Sequence, residues 1–291
     1  MPLISVIMPS FNHGKYIEEA IESVLNQSLY DLELIIIDDA SHDNSRDIIK
    51  RLSENDHRII TKFNQENMGI ASTLNQAISY SKGKYIAFIA SDDLWTPSKL
   101  ERQLEVLENN NDLVLWCEGK IINSNGEENS KDFTEYYEVP KETGSIFEEL
   151  IKGNYIFGSS IMLKTENLRE LMLDENLKFL NDHKLYLDLA YNYKYYFISD
   201  ALAKYRIHGE NTTFRNISDW NKDAMILSDY LLTRYGSNLS LKTKKNIFYL
   251  ACRNPIHHCL NTDPRNKINL FYGIVLPLWY FLIVMKSFFR N

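Results

Sequence analysis

Apolar positions change period repeatedly along the first 110 residues. The β-branched run "LISVIMP" predicts a strand, and after a polar turn Tyr16, Ile17, Ala20, Ile21, Val24 and Leu25 recur at helical spacing. "ELIIID" predicts a second strand, and "SHDNSRDIIKRL" opens a helix that Ser41, Asp43 or Asn44 could cap. "RIITKF", "GIASTLNQAISYS" and "KYIAFIA" continue as strand, helix and strand. Thr96 and Pro97 then suit the N-cap and first position of a fourth helix running to about Glu108. Strands that are apolar throughout, separated by helices, predict an α/β fold with a mostly parallel central sheet covered on both faces. Ligands of such sheets bind beyond the carboxyl ends of the strands. The polar residues there are Pro9 to Asn12, Asp38 to Asp43, Asn64 to Gly69 and Ser91 to Asp93.

The second half is less regular. "DLVLWCEGKIINSNGEE" reads as a hairpin turning near Asn125 and Gly126, and the charged stretch 127–144 as a mobile loop. "SIFEELIKG" predicts a short helix, "GSSIMLK" a strand, "ENLRELM" a helix and "NDHKLYLDLAYNY" a longer one. From Ile217 to Leu260 the period is helical, divided at Gly236. The tail from Leu270 to Met285 carries no charge and is flanked by Arg265, Lys267, Lys286 and Arg290. It is shorter than the roughly 20 residues of a spanning helix and is interrupted by Pro277. Trp279, Tyr280 and the flanking cations favour a segment lying in the membrane interface, over 268–289, with a buried packing helix and a true span as the alternatives.

Composition narrows the partners. Of 291 residues 44% are hydrophobic, enough for a substantial core, and 32 basic against 39 acidic residues leave a net charge of −7. No global basic field exists to hold nucleic acid, so any attraction to phosphate must be local. Cys117, Cys252 and Cys259 are odd in number with no CxxC pair, which suits a reducing compartment, and a cytoplasmic chain is expected. The "HHC" at His257 to Cys259 lacks partners at zinc spacing, and "MPLISVIMPS" lacks the pattern of a signal peptide.

Phosphate chemistry is constrained by what is missing. There is no GxxxxGK[ST], and "PSFNHGK" rather than GxGxxG follows the first strand. The remaining way to hold a diphosphate is a divalent cation on carboxylates. Asp92 and Asp93, at the end of an apolar strand, suit that use; the plainer reading is that they cap a turn. "DDASHD" at the end of the second strand favours the metal.

With "SVIMPSFNHGKYIEEAIESVLNQ", "ELIIIDDASHDNS", "NQENMGIASTLNQAI", "GKYIAFIASDDLWTPSKLERQ", "NDHKLYLDLA" and "YRIHGENTT" in this order and spacing, residues 3–215 resemble the family 2 glycosyltransferases. The resemblance implies an inverting enzyme of the GT-A, Rossmann-like fold. Residues 1–110 would form the nucleotide-sugar half, 111–215 the acceptor and catalytic half, and 216–291 a helical C-terminal region. It further implies that Pro9, Phe11 and Asn12 line the nucleotide, with Phe11 replacing a usual Tyr against the base, and that Asp39 accepts a hydrogen bond from the base imide. Gly69 and Asn75 would border the donor pocket, Asp92 would approach the ribose, and Asp93 would hold Mn²⁺ or Mg²⁺ with His208 close by. Asp182 would be the catalytic base, ionised near an ordinary pKa of about 3.9, or the cap of its helix; the preceding position, usually acidic in the family, is Asn181. Arg206 would face the diphosphate or make a surface ion pair, and Trp95 and Trp116 would pack or wall the acceptor. The implied donor is a nucleotide-diphospho-sugar, with UDP first, and the implied acceptor a lipid-linked or surface-polysaccharide glycan at a membrane surface. A degenerate sugar-nucleotide-binding subunit and a nucleotidyltransferase are the rival readings.

Overall fold

The computed structural model describes residues 1–110, 112–209, 211, 217–248 and 250. The first half follows the alternation of the sequence: β1 (Ile4–Ser10), α1 (Ile17–Leu25), β2 (Leu32–Asp38), α2 (Ser45–Asn55), β3 (Ile59–Phe63), α3 (Ile70–Tyr80) and β4 (Tyr85–Phe88). These strands pair in parallel in the order β3-β2-β1-β4. Their side chains alternate between two cores. Ile4, Val6, Met8, Leu34 and Ile36 pack with α1 and α2, whereas Ile7, Ile35 and Ile37 face α3. Burying each such side chain contributes roughly 2 kcal/mol, and with both faces covered the ends of the strands are where polar chemistry can be placed.

The second half consists of β5 (Leu94–Trp95), α4 (Lys99–Asn109), β6 (Leu113–Ile122), β7 (Glu128–Asp132), α5 (Phe133–Tyr136), α6 (Phe147–Lys152), β8 (Met162–Lys164), α7 (Asn181–Asn192), β9 (Lys194–Arg206) and α8 (Ile217–Tyr235). Strand β8 pairs antiparallel with both β4 and β6 and so joins the halves into one mixed sheet, β3-β2-β1-β4-β8-β6-β9-β5, with β7 on β6. Three expectations fail here for identifiable reasons. Helix α4 starts at Lys99 rather than at Thr96 and Pro97, because Leu94 and Trp95 pair with β9 and the Thr96 amide donates to the Leu202 carbonyl. Residues 127–144 are not a structureless loop. The turn at Gly126 (φ 83°) leads into β7 and α5, where Phe133 stacks on Phe157 and buried Glu118 accepts from the amide and hydroxyl of Thr134. "ENLRELM" yields only a 3-10 turn at Thr165–Leu168, and "GSSIMLK" divides into a 3-10 turn at Gly158–Ser160 and β8.

The long β9 has no counterpart in the sequence reading. It runs parallel to β6 and carries an irregularity between the pairs Cys117↔Ile198 and Glu118↔Ala201. Past that bulge it delivers Arg206 and His208 to the end of β4. Among the described residues no helix is long and apolar enough to cross a membrane. The tail 268–289, Cys252, His257 and Cys259 lie outside the described residues.

Candidate functional site

The loops after β1 and β2 are laced together. The Asn12 amide donates to Ser41 Oγ (2.9 Å) while Asn12 Oδ1 accepts from the His42 amide (2.8 Å), and Asn12 takes the left-handed backbone (φ 55°) this requires. The amides of His13 and Gly14 donate to Ser45 Oγ (3.1 Å) and Asp43 Oδ2 (2.8 Å). Burial pushes the Asp43 carboxyl up, but the Ser45 and Gly14 donors outweigh it and the pKa is lowered. Phe11 stands at this edge with 37% of its surface exposed, next to partly buried Pro9. Asp39 accepts from Asn64 Nδ2 (2.9 Å) and from the amides of Met68 and Gly69 (2.8 Å each). A carboxylate offers about four acceptor sites, so three donors leave one for a ligand N–H. Gly69, at φ 85° before α3, provides the turn that aims its amide at Asp39.

The polar atoms of Asn75 are engaged elsewhere. Its Nδ2 donates to the Leu173 carbonyl (3.0 Å) and Glu175 (3.1 Å), and its Oδ1 accepts from the Leu173 amide (2.9 Å). The buried amide is a clamp between α3 and residues 173–175. Asn75→Ala should therefore cost about 2–3 kcal/mol of stability, read from the urea midpoint, with sugar-nucleotide affinity unchanged.

The two neighbouring carboxylates after β4 have different surroundings. Asp93 is 3% exposed, and both of its oxygens are engaged, Oδ2 by the Ser159 hydroxyl and Oδ1 by the Arg206 amide (3.0 Å). Burial, then the charge of Asp92, holds its pKa well above the usual carboxylate range. The expected metal carboxylate is thus turned into the protein. Asp92 faces the other way: Oδ2 is 2.9 Å from His208 Nε2, and Oδ1 is 3.9 Å from His13 Nδ1. Burial works against its ionisation, but the His208 hydrogen bond and the two imidazoles prevail and lower its pKa. One ligand atom from each of His13, Asp92 and His208 lies within 4.8 Å of the others.

Arg206 supports this group from beneath. It is 1% exposed; Nε donates to the Asp92 carbonyl (2.8 Å), Nη2 to Glu19 (2.8 Å), and the guanidinium lies over the Tyr16 ring at 4.8 Å. Of the two expected uses, the ion pair is the one seen, made from a buried guanidinium to the exposed carboxylate of Glu19. The following turn is fixed by Asn211, which accepts from the His208 amide (2.6 Å) and donates to the Arg206 carbonyl (3.0 Å).

Asp182 is the second residue of α7 and is half-buried. Its Oδ2 accepts from Asn154 Nδ2 (3.1 Å) and its Oδ1 from the His183 amide (2.6 Å). Asp182 thus satisfies one amide of the first turn of its own helix, and Asp223 of α8 holds the chain just before that helix, its carboxylate accepting from the amides of Phe179 (2.6 Å) and Leu180 (3.1 Å). Burial pushes the Asp182 carboxyl up to about 6, so the ordinary acidity expected of it does not hold. Asn181 is buried and donates to the Leu177 carbonyl (3.2 Å). The segment that begins at Asn154 reaches Ser159, so the contacts of Asp182 and Asp93 depend on one short stretch of chain. Trp95 is buried with Nε1 on the Ser159 carbonyl (2.7 Å), and Trp116 is buried with Nε1 on the Glu142 carbonyl (3.1 Å); both are packing residues.

Sequence reasoning missed His13, Asn154, Ser159 and Asp223. Only His13 carried a signal, as a ligating side chain in the loop that ends β1.

The family model for glycosyl transferase family 2 matches residues 5–172. A glycosyltransferase of Methanocaldococcus jannaschii is 32% identical over 241 residues, covering 81% of this chain and 80% of the relative. The putative teichuronic acid biosynthesis glycosyltransferase TuaG of Bacillus subtilis is 31% identical, covering 71% of this chain and 79% of its own. Among solved structures, S. aureus TarS 1-349 in complex with UDP-GlcNAc superposes with a TM-score of 0.72 at 17% identity over 96% of this chain and 81% of that one. A mannosyltransferase from Pyrobaculum calidifontis, in complex with GDP-Man and Mn²⁺, does so with a TM-score of 0.61 at 17% identity over 98% and 84%. These likenesses establish a GT-A-like fold, and the chain is a glycosyltransferase that belongs to glycosyl transferase family 2.

Proposed function

We propose that the protein is an inverting, metal-dependent transferase that moves a sugar from a UDP-sugar to a hydroxyl of a lipid-linked or surface-polysaccharide glycan. The observation that carries this reading is the grouping, at the carboxyl ends of β1, β2 and β4, of an exposed aromatic ring (Phe11), a carboxylate with acceptor capacity left (Asp39) and the Asp92–His208 pair. Phe11 stacks on the base and Asp39 accepts its imide N–H. Asp92 and His208 fit a divalent ion, being a carboxylate held ionised and an imidazole nitrogen 2.9 Å away. When bound, that ion supplies Lewis-acid stabilisation of the diphosphate charge. Asp182 takes the proton of the acceptor hydroxyl as that oxygen bonds to the anomeric carbon and the bond from that carbon to the diphosphate oxygen breaks; one displacement inverts the configuration. The UDP and UDP-GlcNAc complexes of TarS support the donor class, and the printed name of TuaG supports a polysaccharide acceptor. Contact of the tail with the cytoplasmic face of a membrane belongs to the same reading.

The test is a panel of UDP- and GDP-sugars with Mn²⁺, read first by thermal shift and then by release of the nucleoside diphosphate. A UDP-sugar is expected to raise Tm and to be turned over with a glycan acceptor. No shift with any sugar nucleotide would sink the donor assignment, and binding without turnover would leave a degenerate binding subunit.

A further inference from the structure

We infer that His13 is a third protein ligand of the divalent ion, completing a site of two imidazoles and one carboxylate that selects Mn²⁺ and similar transition ions over Mg²⁺. This rests on the reading of Asp92 and His208 as an ion site.

Ligand bonds of about 2.0–2.3 Å place neighbouring ligand atoms roughly 3–4 Å apart around one ion. Asp92 Oδ1 and His13 Nδ1 are 3.9 Å apart, Asp92 Oδ2 and His208 Nε2 2.9 Å, and the set closes within 4.8 Å. The three residues come from three places in the chain, the β1–α1 loop, the end of β4 and the exit of β9, and each has contacts that hold it in place. The His13 amide is tied to Ser45, and its ring meets the His208 ring edge-on at 5.8 Å. The His208 ring lies 4.9 Å from that of Tyr16, and Asp92 has its carbonyl on Arg206. His13 Nδ1 now shares a hydrogen bond with Ser91 Oγ (2.8 Å), so the same nitrogen that would bind the ion is already turned into the group. The His13 side chain is 23% exposed and the His208 side chain 4%, so an ion would enter from the His13 side.

The donor types decide selectivity. Mg²⁺ takes oxygen ligands and keeps its waters, whereas imidazole nitrogen suits the later divalent ions. One imidazole beside a carboxylate is a modest bias, and a second strengthens it.

Binding is measured on the full chain without sugar nucleotide, by Mn²⁺ electron paramagnetic resonance titration with Mg²⁺ as competitor, for the wild type, His13→Gln and, as a control on the neighbouring loop, His42→Gln. The wild type and His42→Gln are expected to bind Mn²⁺ at least tenfold more tightly than Mg²⁺, with pulsed spectra showing two coupled imidazole nitrogens. His13→Gln should lose about tenfold or more in Mn²⁺ affinity, lose little for Mg²⁺, and show one nitrogen. Unchanged Mn²⁺ affinity and two nitrogens in His13→Gln would overturn the inference while leaving the Asp92–His208 site standing. No Mn²⁺ binding by the wild type would overturn both.

Discussion

Asp182→Asn should lower sugar transfer by about 10²–10⁴-fold, the range of a positioned general base, while donor affinity stays within about twofold. The same carboxylate sets the pH dependence. Burial pushes Asp182 up to about 6, and only its ionised form accepts a proton. The rate constant kcat/KM should therefore fall about tenfold per unit below pH 6 and level off above it. An acid limb near pH 4, or a donor affinity that falls in step with transfer, would show that Asp182 is not the base. Stability should move in the opposite sense. The folded pKa lies above the unfolded value of 3.8, so the folded protein binds the extra proton and gains stability as pH drops through 6 toward 3.8. At neutral pH the ionised group is a cost, and Asp182→Asn should raise Tm there, the gain shrinking as the pH approaches 4.

The legible parts of the fold are those that local periodicity encodes. Strands β1, β2 and β4 are runs such as "LIIID" and "YIAF", buried on both faces, and could be read without knowing their neighbours. Strand β9 could not. "KYYFISDALAKYR" mixes aromatic, charged and small residues, and its pairing with β6 passes through a bulge that interrupts the alternation. Likewise β7 is an exposed, charged strand that exists because it pairs with β6 and leads into the buried Phe133. The same division holds at the site. Phe11, Asp39 and the Asp92–Asp93 pair were visible as polar or aromatic residues at strand ends, because the parallel sheet itself specifies that edge. Which carboxylate turns outward was not, since that depends on Ser159 and Arg206, 66 and 113 residues further along the chain. The contacts of Asn75 were likewise out of reach, since its partners lie near residue 173, almost 100 residues further along the chain.

Asp92→Asn and Asp93→Asn should separate two adjacent residues of the same type. At Asp92 the carboxylate is kept ionised by His208 and His13, and its charge is what an ion would bind. Asn keeps the shape but loses the charge and offers an amide nitrogen to one imidazole, so Mn²⁺ binding should become undetectable and transfer should fall at least 10²-fold, with the fold intact. At Asp93 burial already disfavours the charge, so the neutral amide costs little. Its Oδ1 can accept from the Arg206 amide, and its Nδ2 can donate to Ser159 Oγ, which also accepts from the Ala90 amide. Asp93→Asn should thus keep Mn²⁺ binding and shift stability by less than about 1 kcal/mol. Asp93→Ala strands both buried donors and should cost about 2–4 kcal/mol. Calorimetric Mn²⁺ titration and urea unfolding on the three variants check this. If Asp93→Asn loses the ion and Asp92→Asn keeps it, the inward orientation of Asp93 does not describe the working enzyme, and the metal belongs to the second carboxylate after all.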